Sequence, residues 1–184
     1  MARRERNDHP GAIHHVMNGG VDGLQIFRDP FDRRRFMSDL ERAITKFDVE
    51  LLAYAQITTH YHLVARSMSG HLAEAMQMLG VRYARYYNGK YERYGPLFRG
   101  RFTSRWIDSQ EYLSTAIRYV HHNPFDLGVE VLAEYPWSSW PAYLGLEPSP
   151  NWLNTSLVVE HFGSQAALVD FIDPVAALGL RHAA

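Results

Sequence analysis

The chain has no cysteine among its 184 residues. Disulfides and thiolate metal sites are therefore excluded, which fits a reducing cytoplasm. Net charge is nearly absent too. The formal value of −1 argues against a uniformly basic nucleic-acid binder. No apolar run is long enough to span a bilayer. The opening Met1-Ala2-Arg3-Arg4-Glu5-Arg6 is charged, with no apolar stretch behind it, unlike a secretion signal. There is no internal repeat and no low-complexity linker. What is present is ordinary globular material. Hydrophobic content of 46% and charge of 21% suit one domain with a sizeable core.

The charge that exists is unevenly spread. Arg82, Arg85, Lys90, Arg93, Arg99, Arg101 and Arg105 fall in one stretch whose only acid is Glu92. Tyr83, Tyr86, Tyr87, Tyr91, Tyr94 and Phe98 are interleaved with them. Cations for phosphates and rings for bases are what single-stranded nucleic acid requires. A solvated helix face with ordinary tyrosine packing accounts for the same composition, and both readings stand at this point. From Glu147 onward the chain is acidic, with Arg181 its only Lys or Arg.

Periodicity predicts the element order. Residues 12–17 read as a first strand. Asp29-Pro30 starts a helix, with Asp as N-cap and Pro at the first helical position. Phe36, Leu40, Ala43, Ile44 and Phe47 then recur at helical spacing. Residues 49–57 and 60–66 read as a hairpin turning at Thr58-Thr59. Leu72, Ala75, Met76, Leu79 and Tyr83 predict a second helix, stopped by Asn88-Gly89. Residues 101–107 read as a fourth strand. Asp108 is the expected cap of a third helix, with Glu111 three residues on, and Asn123-Pro124 halts it. The order β-α-β-β-α-β plus a helix is an α+β, ferredoxin-like split βαβ layout. It has an antiparallel sheet with helices on one face. A catalytic domain over residues 1–146 and a helical C-terminal extension over 147–184 are expected. Short helices are expected near 157–162 and 165–172.

His60-Tyr61-His62 opens the apolar run Leu63-Val64-Ala65. On a strand, alternate side chains share a face, so the two imidazoles point the same way and can share a metal ion. The third helix carries an apolar stripe of Leu113, Ala116, Ile117 and Val120. Tyr119 lies about a third of a turn from its centre, and Asn123, four residues on, lies nearer its edge. A phenol is a poor nucleophile at neutral pH, so phosphodiester attack needs help from a divalent ion. Two His and an amide oxygen leave positions open for phosphate and water. Such ligation suits Mg²⁺, Mn²⁺ or a heavier ion, with imidazole favouring the latter two. His14 or His15 on the first strand could face the site, and neither is assigned.

Several motifs arrive in order. They are Gly11-Ala12-Ile13-His14-His15-Val16-Met17-Asn18, His60-Tyr61-His62-Leu63-Val64, Gly95-Pro96-Leu97-Phe98-Arg99-Gly100-Arg101-Phe102, Tyr119-Val120-His121-His122-Asn123-Pro124 and Tyr135-Pro136-Trp137-Ser138-Ser139. With them the chain resembles the single-tyrosine HUH transposases, in particular the REP-associated tyrosine transposases, over roughly residues 10–146. The resemblance implies a ferredoxin-like catalytic domain. It implies His60, His62 and Asn123 as ligands of a divalent ion (Mg or Mn) and Tyr119 as nucleophile. It implies a 5′-phosphotyrosine intermediate on single-stranded or hairpin-forming DNA in a bacterial cytoplasm, by a monomer or homodimer. Arg82, Arg85, Arg99, Arg101 and Arg105 are the expected DNA contacts.

The chain departs from the family pattern in three places. Ile57-Thr58-Thr59 stands where Met-Pro-Asn is common, Tyr61 where an aliphatic is usual, and Gly19 where an Arg is common. A repeat-binding module without catalysis, a hydrolase using water in place of Tyr119, and a purely structural role for the His pair and Tyr119 are the alternatives.

Overall fold

The structure, a computed structural model, describes residues 7–174. The charged residues 1–6 and Arg181 lie outside the described residues. The chain forms β1 (Ala12–Gly19), α1 (Pro30–Lys46), β2 (Val49–Gln56), β3 (His60–Ser67), α2 (Leu72–Lys90), β4 (Thr103–Ile107) and α3 (Gln110–His122). A short turn, α4 (Trp140–Tyr143), and two helices, α5 (Thr155–Phe162) and α6 (Gln165–Ile172), follow. The sheet order is β2-β3-β1-β4, antiparallel throughout. This is the split βαβ arrangement that the element order predicts. No helix among the described residues is long and apolar enough to cross a membrane.

The pleat of β3 divides the interior in two. Tyr61, Leu63 and Ala65 enter one core with Val16 of β1 and the apolar faces of α1 and α2. Val64 enters the other, with Leu113, Ala116, Ile117 and Val120 of α3. The paired helices α1 and α2 thus share one face of the sheet. The third helix covers part of the opposite face. Val158, Leu168, Val169 and Ile172 of α5 and α6 complete its core.

Two predicted boundaries move for identifiable reasons. The cap of α3 is Ser109, whose side chain accepts from the Tyr112 amide at 3.1 Å, not Asp108. Glu111 therefore falls at the second helical position, and no capping box with Asp108 forms. Helix α2 continues through Asn88-Gly89 to Lys90. An internal glycine costs a helix only about 1 kcal/mol, and the far end is anchored. Lys90 Nζ reaches Asp29 at 2.6 Å and Asp32 at 2.8 Å, and Tyr91 donates to Asp32 at 2.8 Å.

Asp32 is the buried hub of that anchor. It also accepts from the Arg28 amide at 2.9 Å and the Tyr86 hydroxyl at 3.0 Å. Burial alone would raise its carboxyl, but Lys90, the Arg28 amide and the two tyrosines hold it below the usual carboxylate range. Lys90 and the Asp32 amide do the same for Asp29. Both depressed values stabilise the fold above the unfolded carboxylate range near pH ~4 and lose that contribution as pH falls through them. Asp32→Ala, which strands Lys90 and two hydroxyls, is expected to cost about 3 kcal/mol in urea unfolding at neutral pH. Asp32→Asn should flatten the acid limb of the stability profile. An unchanged limb would show that Asp32 is not its source.

Candidate active site

The site lies on the α3 side of the sheet. Strand pairing sets Gly19 opposite His60, Met17 opposite His62 and His15 opposite Val64. His15, His60 and His62 therefore share one face. The His60 and His62 rings are 5.0 Å apart. His15 Nε2 lies 3.0 Å from His62 Nδ1. His14, one residue earlier, turns to the other face, where its Nδ1 meets Ser104 Oγ at 3.0 Å. The parity of β1 thus decides between two adjacent histidines that the sequence leaves equivalent.

Helix α3 delivers the tyrosine. With Leu113, Ala116, Ile117 and Val120 buried, Tyr119 emerges on the flank, half exposed at 51%. Its ring centroid is 5.3 Å from His62 and 5.5 Å from His15. Asn123 follows at the end of the helix, 4% exposed. Its Nδ2 donates to the Tyr119 carbonyl at 2.7 Å, which pins the last turn. The same side chain hydrogen-bonds His60 and opposes the lowering of its pKa by burial. On its other side, His60 Nδ1 meets Thr59 Oγ1 at 3.0 Å.

The three imidazoles are held neutral. Burial, then the neighbouring His15 and His60 rings, pushes His62 down to about 3. Burial lowers His60 against the opposing pull of Asn123, and Arg99 lowers it further. Burial followed by Arg105 lowers His15. A neutral imidazole keeps the lone pair that a metal ligand needs. His62 Nδ1 is occupied by His15, which leaves its Nε2 available, while the His60 ring lies between Thr59 at Nδ1 and Asn123 on its other side. One ring nitrogen held and the other free is the usual arrangement around a ligating histidine. Among the described residues no group of three or more His, Asp or Glu side chains is placed to hold a metal. Two imidazoles and the Asn123 amide are groups that could hold a divalent ion while leaving positions open.

The expected basic strip is not one surface. Arg82 is committed to Asp39 at 2.7 Å, on the α1–α2 face behind the sheet, and Arg85 is exposed on the same helix. Neither shares a face with the histidines. Tyr83 and Tyr87 are buried core residues whose hydroxyls donate to the Ile26 and Gln25 carbonyls. For those rings the packing reading holds. Arg101 borders a groove with Tyr61 and Phe98. Arg99 and Arg105 do flank the site. Arg105 stands opposite His15 on β4. A Cβ on Gly19 would lie 2.8 Å from Arg99 Nη2, so this guanidinium fills the space where a side chain at Gly19 would begin.

No family profile matches the chain, and no curated protein matches it. Solved structures do. A REP-associated tyrosine transposase bound to a REP hairpin superposes with a TM-score of 0.68 at 13% identity, over 80% of this chain and 89% of that one. A Deinococcus radiodurans protein provisionally named a transposase aligns at TM-score 0.45 and 15% identity, over 62% of this chain and 98% of that one. The first likeness establishes a shared fold. The geometry of the site makes its own prediction. In 15N-edited imidazole spectra of the metal-free protein, His62 should show no titration between about pH 8 and pH 5. A midpoint at the ordinary histidine value would mean that its ring is not packed against His15.

Proposed function

We propose that the chain is a single-tyrosine transposase of the REP-associated kind. In this reading it cleaves and rejoins single-stranded DNA at hairpin-forming repeats, with Tyr119 as nucleophile. The observation that carries this is the convergence of Tyr119, His60, His62 and Asn123, from a strand and a helix far apart in sequence, onto one face of the sheet. The motif order and the fold shared with a hairpin-bound transposase support it.

A divalent ion, Mg²⁺ or Mn²⁺, held by His60, His62 and the Asn123 amide oxygen would polarise the phosphate and orient the leaving oxygen. Everything else is done by the chain. The packed α3 stripe holds Tyr119 over the histidines, and the Asn123 bond to its carbonyl limits its drift. Arg99 and Arg105 flank the row of histidines, where they neutralise successive phosphates. The phenol oxygen forms a bond to phosphorus as the P–O3′ bond breaks. The phenolic proton ends on the released 3′ oxygen. The products are a 5′-phosphotyrosine and a free 3′-hydroxyl, with no water consumed, so the same step run backwards joins a new end. His15 acts behind the ligands, by holding His62 through Nδ1.

Tyr119→Phe should abolish the covalent DNA adduct seen on denaturing gels with Mn²⁺ and a REP-type hairpin oligonucleotide, while anisotropy shows binding retained. Cleavage that persists with both ends free would establish water as nucleophile. Hairpin binding without an adduct at any metal, in the unaltered protein, would establish a non-catalytic binding module. His15→Phe should lower Mn²⁺ affinity by about 10–100-fold in calorimetry, with the circular dichroism of the fold unchanged. Equal affinity would remove His15 from the site's support.

A further inference from the structure

A cleft of about 420 Å³ opens beside Tyr119, between β1, β4 and α3. Its size is at the small end for a ligand pocket. His15, Met17, Arg105, Tyr112 and Tyr119 are among the residues that line it. Thr115 stands exposed at the rim. We propose that this cleft takes the base of the nucleotide adjoining the phosphate that Tyr119 attacks. The inference rests on the reading of Tyr119 as nucleophile.

Three observations carry it. The first is continuity. A phosphate over His60 and His62 has a neighbouring nucleotide on each side. Toward His60 stand the buried Asn123 amide and the Arg99 guanidinium beside Gly19, polar groups that suit a phosphate and offer no ring face to a base. Toward His15 the surface opens into this cleft, which Tyr119 itself lines. The second is lining chemistry. Phenol and imidazole rings offer flat faces for stacking whatever the base. Arg105, 5.8 Å from the Tyr112 ring centroid, enters none of the ion pairs among the described residues. Its charge is thus available to the adjoining phosphate or a base acceptor. The third is an unmet polar atom. The Tyr112 hydroxyl is shielded from solvent and has no hydrogen-bond partner among the described residues. Buried hydroxyls normally have one, and a base edge carries donors and acceptors that can serve.

A cleft that holds a base is distinguishable from one that only borders the phosphate path. The Tyr119→Phe protein, which keeps its DNA uncut, is titrated with fluorescent oligothymidylate about 12 nucleotides long and with an abasic chain of equal length. Thr115→Trp, added to this background, fills the cleft from an exposed helix position. It should weaken oligothymidylate binding about tenfold, the worth of one lost stacking contact, and leave the abasic chain unaffected. Equal weakening of both, or of neither, would overturn the proposal. Should Thr115→Trp fail to fold, photocrosslinking of an iodouracil-substituted oligonucleotide to the Tyr119→Phe protein decides. Crosslinks at Tyr112 or Met17 support the cleft, and crosslinks only elsewhere overturn it. A Tyr119 adduct in the parent protein together with an inert cleft would sink this inference alone. Absence of the adduct would sink the reading of Tyr119, while leaving the base dependence as measured.

Discussion

The pleat of β3 is the constraint on which the rest of this protein depends. Eight consecutive residues, His60 to Ser67, serve two cores because adjacent side chains point to opposite faces. Tyr61, Leu63 and Ala65 lock the strand onto α1 and α2, and that lock aims His60 and His62 at α3. A slip of one residue would turn both imidazoles into the α1–α2 core and Tyr61 toward α3. The bulky Tyr61 is accommodated in the α1–α2 core, 4.8 Å from the Phe36 ring. Its size thus loads the packing side of the strand and not the histidine side.

The second layer turns that aim into chemistry. Helix α3 has an apolar stripe that must be buried and a flank that need not be. Tyr119 lies on the flank and is held there by neighbours it does not choose. Desolvation of the histidines follows from the same packing. Water is kept from His62 by His15 and the Tyr119 ring, so the imidazoles stay uncharged and can serve as ligands. Packing, protonation and ligand capacity are consequences of one docking event.

Much of this was legible along the chain. Strand and helix periods are local, so the β-α-β-β-α-β order, the shared face of His60 and His62 and the four-residue step from Tyr119 to Asn123 followed from spacing. The failures were nonlocal. Asp108 and Ser109 are both good caps, and only the docked helix selects Ser109. Gly89 reads as a stop until Lys90 finds Asp29 and Asp32. Arg82 reads as a DNA contact until Asp39, on another helix, claims it. Arg99 gave no sign that it would fill the space beside Gly19, because the two are distant in sequence and meet only through the sheet edge.

The amino-acid order by itself determined which elements form and which residues share a face within each, because those depend on periods of two and 3.6 residues. Tertiary structure alone decided which faces meet. It chose His15 over His14, sorted the arginines between the two sides of the sheet and brought Tyr119 within 5.3 Å of His62. The physical reason is that strand register and helix docking are settled by burial summed over both cores, a quantity that no single segment contains.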